Sequence, residues 1–217
     1  METCDLVLPC RDEGPALRQL LPLVPAPWSV VVVDNGSTDD TAAVAREHGA
    51  RVVAEARPGY GAAVHAGVEA SEAVFLAVMD GDGSFDPLDL DRLLAAVRDG
   101  ADMAVGRRRP VRRGVWPWHA RLGNALIVAF MRRRGGLGVH DIAPMRVCRR
   151  QALLDLDVRD RRFGYPVELL DRATRAGWRI SEHDVAYHPR AAGTRSKVSG
   201  TVRGTVRTAR DFAKVLA

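Results

Sequence analysis

Residues 74–79 read Val-Phe-Leu-Ala-Val-Met, six apolar side chains without a polar interruption, and the chain then turns at once into Asp80-Gly81-Asp82-Gly83, with Pro87 close behind. A strand with one wet face alternates apolar and polar residues. An unbroken run this short, bounded by glycines, therefore specifies a strand covered on both faces, as in a parallel sheet packed between helices. In such sheets the ligand crevice lies beyond the carboxyl ends of the strands, where Asp80 and Asp82 fall. Two readings of the pair stay open on this stretch alone. They are ligands for a divalent cation that keeps positions for phosphate, or turn residues capping a helix that begins near Leu88.

The same pattern recurs along the chain. Strands are expected at 5–9, 30–33, 50–54, 74–79 and 101–105, separated by a helix after Glu13 and helices at 40–48, 59–70 and 87–99. Short loops between them mean right-handed βαβ units, hence an α/β fold with a mostly parallel central sheet flanked by helices. After Gly106 the regularity ends. Residues 107–119 read as a Pro-, Arg- and Trp-rich loop, 122–134 as a helix broken at 135–138, 145–148 as a strand, 166–176 as a helix and 178–187 as a last strand. A basic helix is expected from residue 198. No boundary demands a second domain, so 1–217 is expected to be one unit.

Composition removes several classes of function. No stretch of about 20 apolar residues exists to span a bilayer, and the first residues, Met-Glu-Thr-Cys-Asp, lack a signal sequence, so a cytoplasmic protein is expected. Three cysteines without ligand spacing are expected as reduced, partly buried thiols. The net charge of +5 favours anionic partners. Aromatics are 6% of the chain and form no strip with basic residues, so nucleic acid is not an expected partner.

Asp12, Glu13 and Asp34 also fall at strand ends and are expected to share a rim with Asp80 and Asp82; a carboxylate there accepts hydrogen bonds from a base edge or ribose hydroxyls. Helix capping is the alternative, more so for Asp39. Gly36 and Ser37 leave room for a ligand to approach the backbone. Gly59-Tyr60-Gly61 either brings a helix N-terminus to a phosphate or serves close helix-sheet packing, and it does not fit the dinucleotide fingerprint.

Taken together, Leu8-Pro-Cys-Arg-Asp-Glu13, Val31-Val-Val-Asp-Asn-Gly-Ser-Thr-Asp-Asp-Thr41, Arg57-Pro-Gly-Tyr-Gly-Ala62 and Met79-Asp-Gly-Asp-Gly-Ser84 resemble the family 2 glycosyltransferases of the GT-A fold. The resemblance implies a nucleotide-sugar-binding half at 1–106, with Pro9, Asp12, Glu13, Asp34, Gly36, Ser37, Gly59, Gly61, Asp80, Gly81 and Asp82 around a donor of the GDP-mannose or UDP-glucose type. It implies Mg2+ or Mn2+ on Asp80 and Asp82. Cys10-Arg11-Asp12 and Tyr60 depart from the family's usual residues at those places.

Residues 107–197 resemble the acceptor half of dolichyl-phosphate mannosyltransferases and related polyprenyl-phosphate sugar transferases. The resemblance rests on Gly106-Arg-Arg108, Arg121-Leu-Gly-Asn124, Asp141 with Arg146, Gly164-Tyr-Pro-Val-Glu168 and Val185-Ala-Tyr-His-Pro-Arg190 through Gly193-Thr-Arg-Ser196-Lys197. It implies an inverting transfer to a polyprenyl phosphate held by Arg108, Arg121, Asn124, Arg190, Ser196 and Lys197. Asp82, Arg108 and Arg121 are expected in catalysis, with Asp141 or Glu168 as the base if the acceptor is a hydroxyl. A soluble acceptor on the same fold is the nearest alternative, and a non-catalytic basic binding protein a distant one. In the segment 198–217, apolar Val202, Val206, Ala209, Ala213 and Leu216 run beside Arg203, Arg207, Arg210 and Lys214. This stripe either packs on the domain or gives peripheral contact with an anionic membrane on its inner face.

Overall fold

The computed structural model of the chain describes residues 2–194; Ser196, Lys197 and the helix expected from residue 198 lie outside the described residues. The first half follows the expected alternation: β1 (Cys4–Cys10), α1 (Gly14–Leu20), β2 (Trp28–Asp34), α2 (Thr41–Glu47), β3 (Arg51–Ala54), α3 (Tyr60–Ala70), β4 (Phe75–Val78) and α4 (Asp89–Arg98). There follow β5 (Met103–Pro110), α5 (Trp118–Gly135), β6 (Met145–Arg149), α6 (Arg150–Asp155), α7 (Tyr165–Arg175) and β7 (Ile180–Tyr187). The strands form one sheet in the order β3-β2-β1-β4-β6-β5-β7. It is mostly parallel; β6 alone runs against its neighbours β4 and β5.

Because side chains alternate across a strand, each strand supplies two cores. Leu6, Leu8, Val32, Phe75 and Ala77 face Leu17, Val44 and Leu93 of α1, α2 and α4. Val7, Val31, Val33, Leu76 and Val78 face Val64 and Val68 of α3 and Tyr165 and Leu170 of α7. Phe75–Val78 is buried on both sides, at most 2% exposed, which is why that run shows no alternation.

The chain builds outward from β1 through β2 to β3, then returns to place β4 on the other side of β1. At such a reversal the connections leave to opposite faces and a crevice opens at the strand ends. Here it lies between the loops after Cys10 and after Val78.

Three elements differ from the sequence expectation. Residues 107–110 are strand, the end of β5, pairing with Asp184 to Tyr187 of β7. Beyond Gly106 the pairing with β6 has ended, so β5 and β7 continue as a two-stranded ribbon without the double cover that makes a strand read as apolar. Helix α5 begins at Trp118, four residues before the expected start, and α6 was not expected.

Candidate active site

The crevice is a cavity of about 1010 Å³. Pro9, Cys10, Arg11 and Glu13 from the end of β1 line one side, with Asp80, Gly81 and Asp82 from the end of β4. Gly81 brings the backbone close to Cys10: a Cβ there would lie 2.5 Å from Cys10 Sγ and force that side chain or the loop to shift. The second half supplies Arg108, Trp116, Asn124, Arg146, Tyr187 and Arg190.

The loops after β1 and β2 are tied to each other. Asp12 adopts a positive φ of 52°, a conformation that costs a non-glycine residue energy and needs support. Its carboxylate accepts the Thr38 N–H at 2.7 Å, while its own N–H donates to Ser37 Oγ at 3.0 Å. Asp34 closes the next turn by accepting the Ser37 N–H at 2.9 Å. Asp39 accepts the N–H groups of Gly14 and Thr41, so for this residue the capping alternative describes the geometry. Asn35 reaches across to the third loop, donating to the carbonyls of Glu55 and Arg57 and accepting from Gly59 N–H.

Asp82 is 3% exposed. One of its oxygens accepts the Ser84 N–H at 3.0 Å, and the other meets Arg190 Nη1 at 3.0 Å. Backbone bonds from His188 N–H to Ser84 O and from Ala191 N–H to Asp82 O dock the 188–191 segment here and so aim Arg190. Burial, reinforced by the neighbouring Asp82 charge, pushes the Asp80 carboxyl up to about 7. Among the described residues no group of three or more His, Cys, Asp or Glu side chains could hold a metal. A pair of hard oxygen donors, Asp82 buried and Asp80 half-buried, fits a divalent cation only if a ligand's own oxygens complete the shell, the usual arrangement for Mg2+ on a diphosphate.

Three buried or half-buried guanidiniums, those of Arg108, Arg146 and Arg190, share the cavity with these carboxylates, and the exposed Arg11, Arg112 and Arg113 also line it. Arg108 stacks 4.0 Å over Trp116 and donates from its backbone N–H, Nε and Nη2 to Asp141, and from Nη2 to Asn124 Oδ1 at 3.3 Å. Burial works against the Asp141 charge, but the hydrogen bonds and charge of Arg108 hold its carboxyl below the usual range. Asp141 is 1% exposed, and its oxygens are fully used by Arg108 and Ala143 N–H. It is an anchor for Arg108, poorly placed to take a proton from a substrate. Arg146, 3% exposed in β6, donates from Nη2 to Ala143 O at 2.6 Å, while its buried Nε has no protein partner.

Several expected site residues lie elsewhere. Both Glu168 oxygens already accept, from the N–H groups of Arg159 and Asp160 and from Arg172 Nε, and Glu168 does not line the cavity. Its expectation as a base is corrected to a structural one. Arg121 is exposed and lines a separate, smaller cavity with Arg132 and Asp141. The N-terminus of α3 does not offer its donors to a phosphate: Gly61 and Ala62 N–H donate to the carbonyls of Arg162 and Arg161. Gly59 lines the cavity and Gly61 does not. Asp12, Asp34, Gly36 and Ser37 do not line the cavity; hydrogen bonds of Ser37 to Asp12 and Asp34 brace the loops next to it. Sequence reasoning left Asn35, Trp116 and Tyr187 out of the site. It quoted Arg146 without a role, although an arginine inside the apolar run Met145–Cys148 was a usable signal.

Comparison with known proteins adds independent findings. The family model for glycosyl transferase family 2 matches residues 5–156. An uncharacterised glycosyltransferase of Mycobacterium tuberculosis is 56% identical over 212 residues, covering 98% of this chain and 97% of that one. The polyprenol monophosphomannose synthase of Mycolicibacterium smegmatis is 34% identical over 188 residues, covering 79% and 71%. Glucosyl-3-phosphoglycerate synthase of M. tuberculosis, solved with Mn2+ and UDP-glucose, superposes with a TM-score of 0.78 over 99% of this chain and 78% of that one, at 20% identity. That likeness is one of fold, the GT-A arrangement.

Proposed function

This chain belongs to glycosyl transferase family 2, and on that premise we propose that it is an inverting hexosyltransferase moving a sugar from a nucleoside diphosphate to a polyprenyl phosphate. The observation that carries this reading is the charge of the cavity, where Asp80 and Asp82 stand with Arg108, Arg146 and Arg190. Two carboxylates suit a cation or ribose, and three buried or half-buried guanidiniums suit two phosphate-bearing ligands. The similarity to the polyprenol monophosphomannose synthase of Mycolicibacterium smegmatis supports the acceptor class.

The nucleotide belongs in this reading on the side framed by Asp12, Asp34, Gly36 and Ser37, with Glu13 and Asn35 at the wall. Asp80 and Asp82 would hold Mg2+ or Mn2+, which when bound neutralises charge on the diphosphate. A phosphomonoester oxygen is ionised at neutral pH and has no proton to surrender, so no base is needed. Its oxygen forms the new bond to C1 as the bond from C1 to the diphosphate oxygen breaks. The electron pair leaves with the nucleoside diphosphate, and attack from the opposite side inverts the anomeric centre. The protein's part is to hold two anions in line and offset their repulsion, through Arg108 fixed by Asp141 and through Arg190 fixed on Asp82.

The test is a calorimetric titration with UDP and GDP, each with and without Mn2+, followed by transfer assays on a polyprenyl phosphate and on 3-phosphoglycerate. Metal-dependent binding of one nucleotide and transfer to the lipid phosphate are expected. Transfer to 3-phosphoglycerate alone would move the acceptor to a soluble phosphate.

A further inference from the structure

Helix α5 turns two very different faces outward and inward. Asn124, Val128 and Met131 are buried. On the other side Trp118, Leu122, Leu126 and Phe130 follow one another at intervals of four residues and are 76%, 50%, 63% and 45% exposed. At about 100° per residue the centre of this stripe lies roughly opposite the buried triad. Of the eight large apolar residues exposed among the described residues, these are four, and Val111 in the preceding loop is a fifth. A soluble surface scatters such residues singly; a continuous stripe about 18 Å long marks an interaction site.

The charge around the stripe says what would cover it. Residues 107–140 contain nine arginines and no Asp or Glu. Six of the nine, Arg112, Arg113, Arg121, Arg132, Arg133 and Arg134, are exposed beside the stripe or in the loop leading to it. An apolar face rimmed by exposed cations matches an anionic lipid surface, where the side chains enter the acyl boundary and the guanidiniums meet headgroup phosphates. The chain's own segment 195–217 is a poor occupant, since it carries six Lys or Arg against one Asp and would be repelled. The inner side of the same helix reaches the cavity through His119, Ala120 and Gly123.

We infer that the Trp118-Leu122-Leu126-Phe130 face of α5, with its arginine rim, is the surface by which this protein docks on an anionic membrane. Docking there puts the cavity mouth at the lipid headgroups, where a lipid phosphate is found. It deepens the lipid-acceptor reading and rests on it for its purpose, but the binding itself requires neither donor nor acceptor. No helix among the described residues is long and apolar enough to cross a membrane, so this is contact with one leaflet.

The experiment is co-sedimentation of the full chain with phosphatidylcholine vesicles, plain or containing phosphatidylglycerol, without polyprenyl phosphate. Wild type should sediment with the anionic vesicles, less at high salt, and not with the plain ones. Leu126→Glu with Phe130→Glu should reduce binding at least tenfold while leaving nucleotide affinity and the melting transition unchanged. Arg132→Gln with Arg133→Gln should reduce it by about fivefold per arginine. Wild type that stays in solution, or a Glu variant that binds as well as wild type, overturns the assignment. So does a wild-type dimer that the Glu pair turns into monomer, because a second copy would then be the occupant. Vesicle binding with no transfer to polyprenyl phosphate would leave docking intact and sink the acceptor reading instead.

Discussion

Because Asp80 is half-buried with the Asp82 charge beside it, its carboxyl keeps a proton up to about pH 7, whereas in the unfolded chain it loses it near 3.8. Below the unfolded value both states are protonated and the full stability is present. As pH rises through the window from about 4 to about 7, the folded state retains a proton that the unfolded state has released, so stability falls, and above pH 7 the loss is complete. Asp80→Asn removes the charge at nearly constant shape. In the absence of ligand it should raise stability at pH 8 by on the order of 1–3 kcal/mol and leave it little changed near pH 4. Denaturant titrations across that range check this, and parallel curves for wild type and variant would refute it. Arg146 poses the complementary case, a buried cation whose Nε finds no protein partner. Arg146→Met fills a similar volume without charge. It should weaken nucleoside diphosphate or acceptor binding by about 10- to 100-fold, with Arg146→Lys little better because the fork is lost; calorimetry reads the effect. Asp80 and Asp82 were legible in the sequence because acids ending an apolar run are conspicuous. Glu168 misled because a carboxylate near the site in sequence carries no mark of its partners, and here the partners are backbone N–H groups of residues 159 and 160.

Among the elements, the βαβ half was readable because β1, β2 and β4 are buried over most of their length, edge strand β3 less so, and its helices carry one apolar stripe. The ribbon at 107–110 was not, since its only strand partner is β7 and its side chains are Arg, Arg, Arg and Pro. Helix α6 is only six residues long, too short to show a period. The start of α3 shows how an element's sequence can be right for a reason other than the first one considered. Gly61 abuts the 160–162 loop so closely that a Cβ would lie 2.8 Å from both Asp160 O and Tyr165 Cβ. Gly61→Ala must push that loop away and disturb the bonds from Gly61 and Ala62 N–H to Arg162 and Arg161. The expected loss is about 1–3 kcal/mol by chemical denaturation, despite alanine's better helix propensity. A stabilised variant would mean that the loop yields freely.

At the scale of the whole molecule, β6 ties the halves together. It comes from the second half of the chain, yet it lies between β4 and β5, with four residue pairs to each. Neither neighbour can keep its place in the sheet if β6 leaves, so the protein should unfold in one transition rather than two. The cavity spans the same junction, drawing Asp80 and Asp82 from one half and Arg108, Arg146 and Arg190 from the other. A ligand that binds only the assembled cavity stabilises the whole fold, by about 2.7 kcal/mol at a hundredfold excess over its Kd. For a chain of this size that corresponds to roughly 5–10 °C in Tm. Calorimetric scans with the preferred nucleoside diphosphate and Mn2+ should therefore shift one intact peak upward. Asp82→Ala should keep a single unliganded peak but lose the shift, because the variant gives up one of the two carboxylates assigned to the cation and the partner of Arg190. Two peaks of which only one responds would mean that the strand insertion does not couple the halves and that the nucleotide touches one of them alone.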